Sequence, residues 1–269
     1  MNIESGAIID ELKAVADHEK SAVLSRFFKT GKGEYGEGDK FLGITVPEIR
    51  KVSSRHKNAS EADLSALLES PFHEIRMCAL LIIVEQCKIL RSRKWISAHS
   101  VNENETELKK KFDFYLGRTA FINNWDLVDL SCPAVIGEYL EDKPHDILYD
   151  MASSDYIWNR RIAIVSTLAF IRNGETDDTF SITELLLEKD TSSGKSMHDL
   201  IQKASGWMLR EAGKRDEKKL LAFLDSHAEK MPRTMLRYSL EKLGPDVRGY
   251  YMGMANPRAK TSDPRREVR

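Results

Sequence analysis

Two tryptophans, an aspartate and several bases are the residues of this sequence whose types and spacing suit chemistry. In INNWDLVDLSCP, Trp125 and Asp129 stand four apart, so on a helix they share a face. A carboxylate beside an indole can host a cation, the acid through its charge and the ring through its quadrupole. Asn123 or Asn124 is placed to cap such a helix, and Asp126 reads as a capping carboxylate in its first turn. In HDLIQKASGWMLREAGKR, a helical wheel of about 100° per residue groups Lys203, Trp207, Arg210 and Lys214. Ile201, Met208 and Ala212 fall opposite and make the core face. An aromatic among bases suits a nucleic acid, with cations on phosphates and the indole on a base or sugar. Equally, Trp207 can pack on a neighbouring helix above a solvated charged face. Arg160 and Arg161 open the apolar helix of DYIWNRRIAIVSTL, where forked donors can grip a phosphate or pair with an acid. Arg233 and Arg237 share a further helix face and could extend the basic stripe.

These residues need helices to hold them, and helical periodicity dominates the chain. Ile8, Ile9, Leu12 and Val15 follow Ser5 at helical spacing. A helix over 18–29 is expected to end at Gly31, and Pro47 suits the first turn of the next. HEIRMCALLIIVEQCKIL is too long and uninterrupted for a strand, and no strand-like alternation bounded by turn residues occurs. The expected fold class is all-α. Four segments begin alike, at 70–83, 154–168, 196–209 and 231–243, each with Ser or Pro before an early base and then an apolar run. Their aligned bases Arg76, Arg161, Lys203 and Arg237 recur at about 42, 42, 42 and 34 residues, with the segment around NNWDLVD filling the skipped period. That is the range of HEAT-like helical repeats, which stack into a curved solenoid with a groove along its concave face. One domain over 1–252 is expected, followed by a basic, disordered tail from 253 to 269.

Composition excludes several classes. The 269 residues carry a net charge of −1, so the protein is not basic overall, though one face can be. Cys78, Cys87 and Cys132 are an odd set without a CxxC, which argues against disulfides or a zinc ribbon. The seven histidines form neither HExxH nor HxxxH, so no metal site is expected. The GKS at Gly194 has Lys189 where a P-loop needs its first glycine, and no GxSxG is present. The longest apolar run, from Met77 to Val84, is far short of the ~18 residues that span a bilayer. The acidic start MNIESGAIIDELK is unlike a signal peptide, and a reducing, cytoplasmic setting is expected.

The motifs KFLGITVPEIRK, NNWDLVD, WNRRIAI, QKASGWMLREAGKR and MPRTMLRYSLEKL resemble, in order and spacing, the AlkD-like DNA alkylation repair proteins. The resemblance runs from about residue 35 to about 250. It implies a HEAT-like repeat glycosylase that releases N3- and N7-alkylated purines from duplex DNA. The implied enzyme uses no cofactor, metal or base-shaped pocket, and works as a monomer with a basic concave face. The family's catalytic residues fall on Asp129, Trp125 and Trp207, and its phosphate-binding arginine on Arg161. A further aromatic falls near Tyr35, in the Gly-rich loop GKGEYGEGDKF. The loop DTSSGKSM is longer than the family pattern, and the tail lies outside it. Two other readings remain, a non-catalytic HEAT-like protein that binds distorted DNA and a protein-binding helical scaffold.

Overall fold

The computed structural model describes residues 3–192, 194 and 196–254. The expected tail beyond residue 254, and Ser193 and Lys195 of the DTSSGKSM loop, lie outside the described residues. The protein is all-helical. Among the described residues there is no strand, and one isolated parallel bridge joins Lys40 to Phe72. The chain forms two compact units, Met1–Tyr139 and Leu140–Arg269.

The first unit begins with α1 (Ile3–Ala14) and α2 (His18–Phe27). It continues with α3 (Val46–Arg55), α4 (Glu61–Leu68), α5 (His73–Leu90), α6 (Arg93–Ile96) and α7 (Val101–Leu116). It closes with α8 (Trp125–Cys132), a π turn (Pro133–Gly137) and the start of α9 (Glu138–Leu140). α5 coincides with the uninterrupted apolar run, and it packs against α3, α4, α7 and α8. A helix apolar on all sides must be buried on all sides. Cys78, Cys87 and Cys132 are core residues. Ile8 and Leu12 of α1 reach the core, whereas Val15 is exposed beyond the end of the helix. Pro47 lies in the first turn of α3, which carries a Thr45–Glu48 capping box. α2 ends at Phe27, four residues before Gly31, and Lys29 takes the left-handed conformation (φ 51°) expected of a glycine.

The segment 39–45 sits against α2 and the start of α5. The Glu74 carboxylate accepts from the backbone N–H groups of Leu42 (2.9 Å), Gly43 (2.8 Å) and Ile44 (3.2 Å). Asp17, the N-cap of α2, donates its own N–H to Leu42 O. Gly43 has φ 83°, and a Cβ there would stand 1.9 Å from Asp17 O, so only glycine fits. At the far end of the unit, Pro133 has no N–H for the Asp129 carbonyl four residues earlier. There the helix widens into the π turn, closed by Glu138 N–H on Pro133 O.

The second unit holds α10 (Asp146–Ala152), α11 (Ile157–Ser166), α12 (Leu168–Arg172) and α13 (Asp177–Ser192). After these come α14 (Asp199–Gly213), α15 (Glu217–His227), α16 (Arg233–Ser239) and α17 (Pro245–Met254). α14 is central and packs on α11, α12, α13, α15 and α16. Gly206 permits its close approach to α16, where a Cβ would stand 2.5 Å from Met235 O. The four segments with matching starts supply α5, α11, α14 and α16, and the NNWDLVD segment supplies α8.

Candidate functional site

α8 begins where the sequence places its cap. Asn124 Oδ1 accepts from Trp125 N–H (2.9 Å) and thereby starts the helix. Asp126, Leu127, Val128, Ser131 and Cys132 are buried, which leaves Trp125, Asp129 and Leu130 as the half-exposed stripe. Trp125 and Asp129 therefore share a face and are both accessible.

Asp126 does more than the capping expected of it. Its Oδ1 accepts from Leu127 N–H (2.8 Å), but its Oδ2 meets Nε2 of His73 at 2.9 Å. His73 is buried, and its Nδ1 lies 3.5 Å from Asp39. Burial alone would lower the imidazole pKa, but the Asp126 charge and the carboxylate hydrogen bonds outweigh it and raise the pKa to about 9. His73 is therefore a cation at neutral pH. Burial works against ionisation of Asp39 too, yet His73 and Arg76 hold its pKa below the ordinary value. Arg76 donates to Asp39 (2.8 Å), Asn123 (3.1 Å) and Ser70 O (2.9 Å). Asn123 and Asn124 also donate to Asp39, at 3.1 and 3.4 Å. Two acids, an imidazolium and a guanidinium thus fix α8 to α5 and to the segment that carries Asp39.

Above this network lies an aromatic column. The His73 ring stacks on Phe41 (4.7 Å between centroids), Phe41 on Phe28 (5.1 Å), and Phe28 on Trp125 (5.4 Å). Phe27 meets Trp125 edge-on at 6.1 Å. Beside the column is a mostly apolar cavity of about 370 Å³, lined by α2, the 41–45 segment, Met77, His73 and Asp126. Sequence reasoning singled out Trp125, and Asp126 only as a cap; His73, Phe41, Phe28 and Phe27 were not picked out. Their one local signal is the set of polar residues His73, Glu74 and Arg76 opening an otherwise apolar helix.

In the second unit, α14 faces as the wheel requires. Ile201, Met208 and Ala212 are fully buried, and Trp207 is half-buried. The basic stripe is present in position but not in net charge. Lys203 pairs with Asp199 (2.6 Å), Lys214 with Glu211 (2.7 Å), and Arg210 with Glu211 (3.1 Å) and Glu241. Three cations face three acids. Trp207 lines a cleft of about 480 Å³ together with Arg172, Glu211, Lys214 and Arg215.

For Arg160 and Arg161 the sequence left a phosphate grip and an ion pair open, and the structure shows contacts within the protein. Both are buried. Arg160 pairs with Asp190 at 2.5 Å, and Arg161 donates to Leu200 O at 2.5 Å. The apolar helix that carries them is enclosed, so both guanidiniums turn inward to protein acceptors. Arg233 and Arg237 are exposed on α16, with Arg237 5.7 Å from the Tyr238 ring. Tyr35 is half-buried in the first unit, with Lys29 Nζ 5.9 Å from its ring. Among the described residues, no three His, Cys, Asp or Glu side chains are grouped to hold a metal, and no helix is long and apolar enough to cross a membrane.

The sequence profile of the DNA alkylation repair enzyme family matches residues 8–243. The chain therefore belongs to the DNA alkylation repair enzyme family. A solved structure described as a predicted DNA alkylation repair enzyme from Enterococcus faecalis is similar in fold, with a TM-score of 0.56. It is 17% identical, and the match covers 86% of this chain and 97% of that one. No curated protein matches significantly.

Proposed function

We propose that the protein is a DNA glycosylase that releases N3- and N7-alkylated purines from duplex DNA. The observation that carries this reading is the half-exposed indole and carboxylate on one face of α8, anchored from beneath by a buried charge network. Binding DNA needs no such carboxylate.

The chemistry suits these groups. An N7- or N3-alkylated purine is already cationic. When its bond to C1′ breaks, the base takes the electron pair and leaves neutral, so no general acid is required. Positive charge is left on the deoxyribose as an oxocarbenium ion. Asp129, ionised, stabilises that charge and orients the water that adds to C1′. Trp125 presents its π face to the cationic lesion or sugar, a contact worth about 0.5–2 kcal/mol. Its ring is held by Phe28 and Phe27, so little ordering remains to be done at binding. Trp207, half-exposed at its cleft, contacts the duplex on its own unit.

Asp129→Asn tests the reading. With a duplex containing N7-methylguanine, the parent releases free base. The variant should bind equally well and excise about a hundred- to a thousandfold more slowly, the usual scale of one preorganised electrostatic contact. Equal rates would remove Asp129 from the mechanism. Duplex binding by the parent without release of base would instead make it a non-catalytic DNA-binding protein.

A further inference from the structure

The three cations around Trp207 that the sequence pattern highlights are already neutralised by Asp199, Glu211 and Glu241. Two other cations at the same cleft are not. Arg172 ends α12 and Arg215 follows α14. Both are exposed and both line the Trp207 cleft. Arg215 donates to the backbone oxygen of Arg172 (3.2 Å), which ties the two positions together. No carboxylate among the described residues pairs with either guanidinium. The one acid of the cleft, Glu211, is occupied by Arg210 and Lys214.

We infer that this cleft is a nucleotide-unit site, in which Arg172 and Arg215 hold one backbone phosphate of DNA and Trp207 covers the adjoining sugar or base. The inference rests on the proposed action on DNA. The ligand class follows from the lining. Three cations against one carboxylate leave the cleft positive, which suits an anion. Forked guanidinium donors match the paired oxygens of a phosphodiester. Leu168 and the half-exposed indole supply an apolar wall that an inorganic anion would not use but a sugar or base would. The volume of about 480 Å³ admits more than a phosphate alone.

The test measures duplex affinity against salt concentration for the parent and for an Arg172→Ala/Arg215→Ala variant. Both side chains are exposed, so the variant should melt with the parent. One lost phosphate contact lowers the log–log salt slope by about 0.9. A fall of about that size, without loss of sequence tolerance, supports the site. An unchanged slope overturns it. dGMP, as a competitor at millimolar concentration, should displace duplex poorly; displacement at micromolar concentration would mark a site for free nucleotides and overturn the assignment to DNA backbone. Release of N7-methylguanine by the parent is scored in parallel. Excision with an unchanged slope in the variant defeats this inference alone, whereas a reduced slope with no excision by the parent defeats only the glycosylase reading. A parent that binds no duplex defeats both.

Discussion

Raising the pH from about 6 to about 10 should cost the first unit roughly 3 kcal/mol, and His73 should account for the loss. Its imidazole is buried, lies 2.9 Å from Asp126, and has its pKa raised from 6.5 to about 9. A rise of that size, at about 1.4 kcal/mol per unit, corresponds to about 3 kcal/mol of linkage. The native state holds a proton on His73 that the unfolded chain releases above pH 6.5. The stabilisation is therefore complete below pH 6.5 and disappears as the pH rises through 9. Asp39 acts in the opposite range. Its pKa is held low in the folded protein, so its contribution is present at neutral pH and is lost in acid.

Lysines and tyrosines also titrate near pH 10, so the informative quantity is a difference. Urea unfolding of the parent and of His73→Gln, at intervals between pH 6 and pH 10, isolates it. At pH 6 the variant should be less stable, because Asp126 has lost its buried counter-charge; breaking one side of such a pair costs about 3–5 kcal/mol. The gap should narrow by roughly 3 kcal/mol by pH 10 as the parent imidazolium discharges. A constant gap would refute the reasoning. If the variant does not fold, the imidazole resonances of the parent decide the matter. A His73 midpoint near 6.5 would mean that the carboxylates do not outweigh its burial.

Two further substitutions separate structural from DNA-contacting roles in the second unit. Arg160→Ala leaves Asp190 buried without its partner, and should cost about 3–5 kcal/mol while leaving the salt slope of DNA binding unchanged. A normal melting temperature with a reduced slope would return Arg160 to the phosphate contacts. Trp207→Ala removes a half-buried ring, so its cost should be about 2 kcal/mol, below the 3–5 of a fully buried aromatic, with a clear loss of excision. A loss of stability at the full-burial level with normal excision would make Trp207 a packing residue.

What could be read from the sequence were properties set within one helix. The run from His73 to Leu90 is apolar on every side and is the buried α5. The wheel of α14 separates Ile201, Met208 and Ala212 from Trp207, as the burial confirms. A cap at Asn123 or Asn124 was legible because capping acts over a few residues, and Asn124 takes the role. Asp126 was only half legible. Its capping position is local, but its partner His73 lies 53 residues away, and nothing in the spacing joins them. Arg160 was left between a phosphate and an acid for the same reason, since Asp190 is 30 residues further on. Neutralisation of the α14 stripe divides in the same way. Asp199 lies four residues before Lys203 and Glu211 three before Lys214, which are helical pair spacings visible in the sequence. Glu241 comes from beyond α16 and could not be anticipated.

That neutralisation bears on how a chain with a net charge of −1 holds a polyanion. Exposed ion pairs are worth at most about 1 kcal/mol, so a phosphate can displace a carboxylate from Lys203 or Lys214 at little direct cost. The displaced acid stays within a turn of the same helix, however, and repels the phosphate that replaced it. Arg210 is held on two sides, by Glu211 and Glu241, and has still less to gain by exchange. An unpaired cation carries no such penalty and contributes its full share of counterion release. Arg172 and Arg215 at the Trp207 cleft, Arg233 and Arg237 on α16, and Arg248 on α17 are the exposed arginines of the second unit in that condition among the described residues. The position of a base on a helical wheel therefore says less about its affinity for DNA than the acids three or four residues away from it.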